Sequence, residues 1–164
     1  MVVWLAPVCS AWSVIQIRNN PDNVARKQKE AMPMVLFCFQ VALHQIKNNR
    51  FFIWENPASS KMWDVPEISE TLKHKSVHRD ITDMCRHGMK DPVSHLPYKE
   101  PTALVNNFLE GSLAPLMLIC RHNGGPHHEK HEPLEGSIPG IGLRTGMPRF
   151  IQNIFLGHLL DALS

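Results

Sequence analysis

Residues Val2 to Cys9 read VVWLAPVC, and the reading of this run decides the fold. Four apolar residues, Val2, Val3, Trp4 and Leu5, are bounded by Pro7 and then by the polar, turn-prone stretch Ser10 to Ser13. A short continuous apolar run closed by proline is the pattern of a strand covered on both faces, as in a parallel sheet flanked by helices. Such a strand delivers Cys9 to the loop beyond its carboxyl end. A thiol there is either a small buried apolar group or a nucleophile, and no lysine or arginine lies nearer to it in sequence than Arg18.

Working outward, NNPDNVARKQKEAMPMVLFCFQVALHQIKNN predicts a helix, with Asn-Pro-Asp as its start signal and Val35, Phe39, Ala42 and Ile46 at helical spacing. Pro33 is expected to kink or divide it. RFFIWENP is a second strand ended by Pro57, and DVPEISETLKHK a short helix begun at Asp64 with Pro66 in its first turn. SVHRDITDMC and PTALVNN give two further strands, and Ser112 to Ile119 a short helix. The segment 120–148 holds six of the nine glycines and four of the thirteen prolines, so it is expected to be a long irregular His/Gly-rich loop. RFIQNIFLGHLLDAL closes the chain as a helix.

Strands alternating with helices predict an α/β domain spanning 1–164. The expected form is a three-layer sandwich around a mainly parallel, Rossmann-like sheet of four or five strands, complete or truncated. Ligands in such sheets gather beyond the carboxyl ends of the strands. Cys9 follows the first strand and Glu55 ends the second, so the fold can bring them to one edge although 46 positions separate them.

With 43% apolar residues the chain can bury a core, which argues against disorder. A formal charge of +2 does not by itself point to nucleic acid. The four cysteines lie far apart with no CxxC pair, which fits reduced thiols of an intracellular protein better than a disulfide framework. The run MVLFCFQVAL is well short of the roughly 20 residues a bilayer requires, so no membrane association is expected.

The combination of a strand leading into APVCSAWS and a later strand ending Glu-Asn, in FFIWENPASS, resembles the catalytic half of the DNA cytosine-5 methyltransferases. DMCRHGMKDPVSHLPYKEPTALV is similar to that family's segment in which a Tyr-Gly turn precedes a basic strand, and FIQNIFLGHLL to its closing helix. The resemblance implies that Cys9 attacks C6 of a cytosine while Glu55 holds the base near N3. It further implies that Pro7, Ser10, Asn56 and Lys99 contact or position the substrate, that S-adenosylmethionine is the methyl donor, and that DNA is the partner.

The departures are specific. Ala6 and Val8 stand where the family loop has prolines, and Lys99 is the only cation where paired arginines are expected. The glycine-rich turn for the cofactor belongs many residues upstream of the Cys loop, and eight residues precede Cys9. The sequence is therefore read as a diverged or truncated methyltransferase-like domain without independent activity, with a partner chain supplying the missing half. The alternative is a non-catalytic nucleic-acid or protein-binding module.

Other groups offer less specific chemistry. Ser59, Ser60, Lys61 and Trp63 are placed to contact a phosphate or stack on a base, or simply to close the core. Arg79, Arg86, Lys90 and Lys99 are candidates for a backbone-binding face or ordinary solvated charge. Cys120, His122, His127, His128 and His131 offer soft and imidazole ligands within twelve residues. The spacing of His128 and His131 suits a zinc pair, with Cys120 as a further ligand.

Overall fold

The computed structural model describes residues 1–98, 100–120, 130–132, 137–138 and 142–143. Its elements are β1 (Val2–Leu5), α1 (Pro21–Lys47), β2 (Phe51–Pro57), α2 (Pro66–Leu72), β3 (His78–Asp83), β4 (Pro101–Asn106), β5 (Ser137–Ile138) and β6 (Gly142–Leu143). The first four strands form one mixed sheet in the order β1-β2-β4-β3, and β5 and β6 pair antiparallel. The α/β class is as expected; the sheet is parallel in part, between β1 and β2. The helix expected over Ser112 to Ile119 is reduced to a single 3₁₀ turn at Ala114–Leu116. The expected closing helix lies outside the described residues.

The chain divides into two compact units, one of Met1–Asp80 with Ala103–Glu110, the other of Ile81–Thr102 with Gly111–Ser164. In the first unit, β1, α1 and β2 form a βαβ unit, with Val2 opposite Phe51 and Leu5 opposite Trp54. Asn20 starts α1 by accepting a hydrogen bond from the Asp22 amide at 2.8 Å, with Pro21 in the first position, where a missing N–H costs nothing. α1 runs as one helix from Pro21 to Lys47 through Pro33, so the expected division does not occur. Gln45, almost fully buried, donates to the Phe51 carbonyl at 2.8 Å and fixes the turn from α1 into β2.

Phe52, Ile53 and Trp54 on β2 are all buried, as are Ala103, Leu104 and Val105 on β4. Burial of consecutive residues means that both faces of these strands are covered, as the apolar runs required. Phe52, Trp54, Ala103 and Val105 pack with Val35, Cys38 and Ala42 of α1, with Ile68 of α2, and with Trp12, Met62 and Trp63 from the loops. Trp63 tilts onto Trp54 with ring centroids 5.9 Å apart. Phe51 stacks on Phe108 at 4.9 Å, and Asn107 closes that end by accepting from the Phe52 amide and donating to the Arg50 carbonyl, both at 2.8 Å.

Pro33 is exposed and interrupts the hydrogen-bond ladder of α1 without serving the core. Replacing it with alanine restores a backbone donor and removes the clash of its ring with the preceding turn. Pro33→Ala is expected to stabilise the protein by about 1–3 kcal/mol, read as a higher urea midpoint at unchanged slope. An unchanged or lower midpoint contradicts this account of the helix.

Candidate functional site

Two groups of chemistry-bearing side chains stand out, one in each unit. In the first, parallel pairing puts the carboxyl ends of β1 and β2 at the same edge of the sheet. The Asn56 side chain donates its amide N–H to the Pro7 carbonyl at 3.1 Å, and Asn56 is almost fully buried. This bond joins the loop after β1 to the end of β2. Cys9 lies two residues beyond Pro7 and Glu55 one residue before Asn56.

Cys9 is half-buried and opens a 3₁₀ turn at Ser10–Trp12, its carbonyl accepting from the Trp12 amide at 2.9 Å. Trp12 itself is buried in the core, so the turn is held down by its last residue while its first stays near the surface. Glu55 is half-buried where its strand neighbours Trp54 and Asn56 are fully buried. Pro7 is buried, and Ser10 is exposed, its carbonyl accepting from Gln16 at 2.8 Å. Lys99 lies outside the described residues.

Cys38 behaves differently. It is buried under the sheet from α1, and burial pushes its thiol pKa up, so it is a packing residue. The residues after β2 serve the fold. Ser60 accepts from the Met62 amide at 3.3 Å, Lys61 pairs with Asp64 at 3.3 Å on the surface, and the Trp63 indole donates to the Pro57 carbonyl at 2.9 Å. Arg79 donates to the Ala58 carbonyl at 2.7 Å and lies over the Trp63 ring at 5.5 Å. A groove between α1 and α2, lined by Phe39, Leu43, Glu67 and Lys73 among others, includes neither Cys9 nor Glu55.

The second unit builds its group from the end of β3. The Thr82 hydroxyl donates to the Leu116 carbonyl at 2.8 Å, the Asp83 amide to the Leu118 carbonyl at 2.9 Å, and the Cys120 amide to Asp83 Oδ2 at 2.6 Å. Residues 116–120 are thereby laid along β3. Met84–His87 then form a 3₁₀ turn that buries Cys85 and is ended by Gly88 at φ +85°, a left-handed conformation that glycine adopts without strain.

A hairpin follows. The Tyr98 amide donates to the Met89 carbonyl at 3.0 Å and the Asp91 amide to the Leu96 carbonyl at 2.8 Å. Inside it, buried Asp91 accepts from the Val93 and Ser94 amides and from the Tyr98 hydroxyl. The Glu132 amide donates to the Pro97 carbonyl at 3.0 Å, which docks 130–132 on the hairpin. His131 Nε2 then stands 3.5 Å from Cys120 Sγ.

Cys85 Sγ, Cys120 Sγ and a His131 ring nitrogen all lie within 4.8 Å of one another, a group able to hold a metal ion. Of the expected ligands, Cys120 and His131 are brought together, while His122, His127 and His128 lie outside the described residues. Cys85 was not legible as a ligand, because it is 35 positions from Cys120 and belongs to no local pair. No disulfide joins any of the four cysteines.

Comparison of the chain with protein-family models, with curated proteins and with solved structures finds no match. No described helix is long and apolar enough to cross a membrane.

Asn56→Ala removes the buried hydrogen bond between the loop and β2 while leaving the Pro7 carbonyl in a buried setting, and is expected to cost about 1–3 kcal/mol. It should also speed alkylation of Cys9 relative to Cys38; equal stability and equal alkylation would show that the bond does not hold the loop. Glu100, whose Oε2 is buried without a hydrogen-bond partner among the described residues, has its pKa raised above the ordinary 4.5 by burial.

The folded state therefore holds this proton at pH values where the unfolded chain has released it. The associated stability is full below pH 4.5 and is lost as pH rises through the higher folded-state value. Glu100→Gln, neutral throughout, is expected to gain on the wild type as pH rises from about 4 to about 8 in urea titrations. A stability difference independent of pH contradicts the assignment.

Proposed function

We propose that the chain is a diverged or truncated DNA cytosine-5 methyltransferase-like domain, with Cys9 as the base-attacking thiol and Glu55 as the base-contacting acid. The observation that carries the reading is the buried Asn56–Pro7 hydrogen bond across parallel strand ends, with Cys9 and Glu55 flanking it in sequence. Half-burial of both residues beside a fully buried frame is the setting such a pair needs, held by the core and still reachable.

In the proposed step the Cys9 thiolate forms a bond to C6 of a flipped-out cytosine. The C5–C6 double-bond pair shifts through C4 to N3, where Glu55 places a proton. C5 is then electron-rich. In the resembled family S-adenosylmethionine supplies the methyl group that C5 takes. The described residues do not fit a site for that cofactor: the described loops after β1 and β2 hold no glycine and so offer no glycine-rich strand turn.

A partner chain is the proposed source of that cofactor site. β1 stands at one end of the sheet order with β2 as its neighbour, so its other side is where an added strand would continue the sheet toward a three-layer, Rossmann-like form. Methyl transfer by the chain alone is not expected.

The test is adduct formation with a single-stranded oligonucleotide carrying 5-azacytosine, whose nitrogen in place of C5 lets the C6 thioether form without a methyl donor. The wild type is expected to give a covalent complex on a denaturing gel, Cys9→Ala none, and Glu55→Gln a complex formed at least about tenfold more slowly. Absence of any adduct overturns the enzyme reading. If the oligonucleotide still binds, and binding falls steeply with salt, the non-catalytic binding module is favoured instead. The Cys85, Cys120 and His131 group is the specific observation behind a metal-stabilised form of that second reading.

A further inference from the structure

We infer that Cys85, Cys120 and His131 are three ligands of a structural zinc(II) site that holds the second unit together. Two thiols and an imidazole are the donor set that zinc takes in tetrahedral sites, and hard cations such as magnesium and calcium prefer oxygen. With Zn–S near 2.3 Å and Zn–N near 2.0–2.1 Å, tetrahedral geometry places a sulfur and a nitrogen ligand about 3.6 Å apart and two sulfurs about 3.8 Å apart. The Cys120 Sγ to His131 Nε2 distance is 3.5 Å, and all three ligand atoms lie within 4.8 Å.

The three ligands come from three separately anchored pieces of chain. Cys85 is on the turn Met84–His87, Cys120 ends the segment tied to β3, and His131 is on the stretch docked to the hairpin through Glu132. Asp83 is a positioning residue. Its carboxylate accepts the Cys120 amide at 2.6 Å and sets where that ligand's backbone stands. An ion at this point joins segments 35 and 11 residues apart in sequence, and so restricts the unfolded chain as a crosslink does. The inference concerns residues of the second unit only and does not depend on the methyltransferase reading.

The full chain, expressed in zinc-supplemented medium and purified without chelator, is expected to carry one zinc per chain by elemental analysis. Cys85→Ser and Cys120→Ser should each lower that content several-fold, whereas Cys9→Ser and Cys38→Ser should leave it unchanged. Because the first two variants are at risk of misfolding, wild-type protein is also stripped with chelator and titrated with cobalt(II).

Visible bands of tetrahedral cobalt and a thiolate charge-transfer band are expected, displaced by one equivalent of zinc. Asp83→Asn is expected to weaken zinc binding roughly tenfold. Three results each overturn the proposal: no zinc and no cobalt bands in folded wild type, a cobalt spectrum unchanged in Cys85→Ser, or loss of two titratable thiols to a Cys85–Cys120 disulfide in the protein as purified. Failure of the 5-azacytosine adduct leaves these readouts unaffected, so the two proposals fail separately.

Discussion

The buried hydrogen bond from Asn56 to the Pro7 carbonyl is the constraint on which the first unit's strand-end edge depends. A backbone carbonyl buried beyond a strand end costs about 1–3 kcal/mol when it lacks a donor, and a proline-containing loop has fewer donors of its own to offer. Asn56 supplies one from the neighbouring strand, and its position follows from the parallel register that sets Leu5 opposite Trp54. Register, loop path and the approach of Cys9 to the strand-end edge are therefore a single arrangement. Trp12 completes it by burying the far end of the Cys9 turn in the core.

The second unit solves a similar problem with different means. Residues 116–120 are not a strand, yet they satisfy their backbone groups on Thr82 and Asp83 at the end of β3, two residues whose side chains are short, polar and fully buried. Buried polar groups with complete partners fix one geometry where apolar packing alone tolerates several. That precision brings Cys120 toward Cys85, and the Glu132 contact with Pro97 brings His131 to both. A metal ion would convert this convergence into a crosslink.

The elements of the first unit were legible in the sequence because their signals are local. VVWL and FFIWENP are apolar runs closed by proline, and Asn20-Pro21 is a helix start. The convergence of β1 and β2 ends followed from the βαβ pattern. What was not legible depends on partners distant in sequence: continuity of α1 through Pro33, which tertiary packing of Val35, Cys38 and Ala42 sustains, and the choice of a 3₁₀ turn at Ala114–Leu116 over a helix. Arg79, read as part of a backbone-binding face or as solvated charge, is engaged by Ala58 and Trp63, and Cys85 gave no ligand signal because its partners are 35 and 46 positions away.

The central claim is that the Cys9 loop and the Glu55 strand end share one edge of the sheet. It is tested most directly by replacing Glu55 with cysteine and treating the folded protein with a short bifunctional thiol reagent, then locating the link by peptide mass spectrometry. The account predicts an efficient link between position 55 and Cys9 that is lost when Asn56→Ala is added. Modification of both thiols singly, with no link between them, would contradict it.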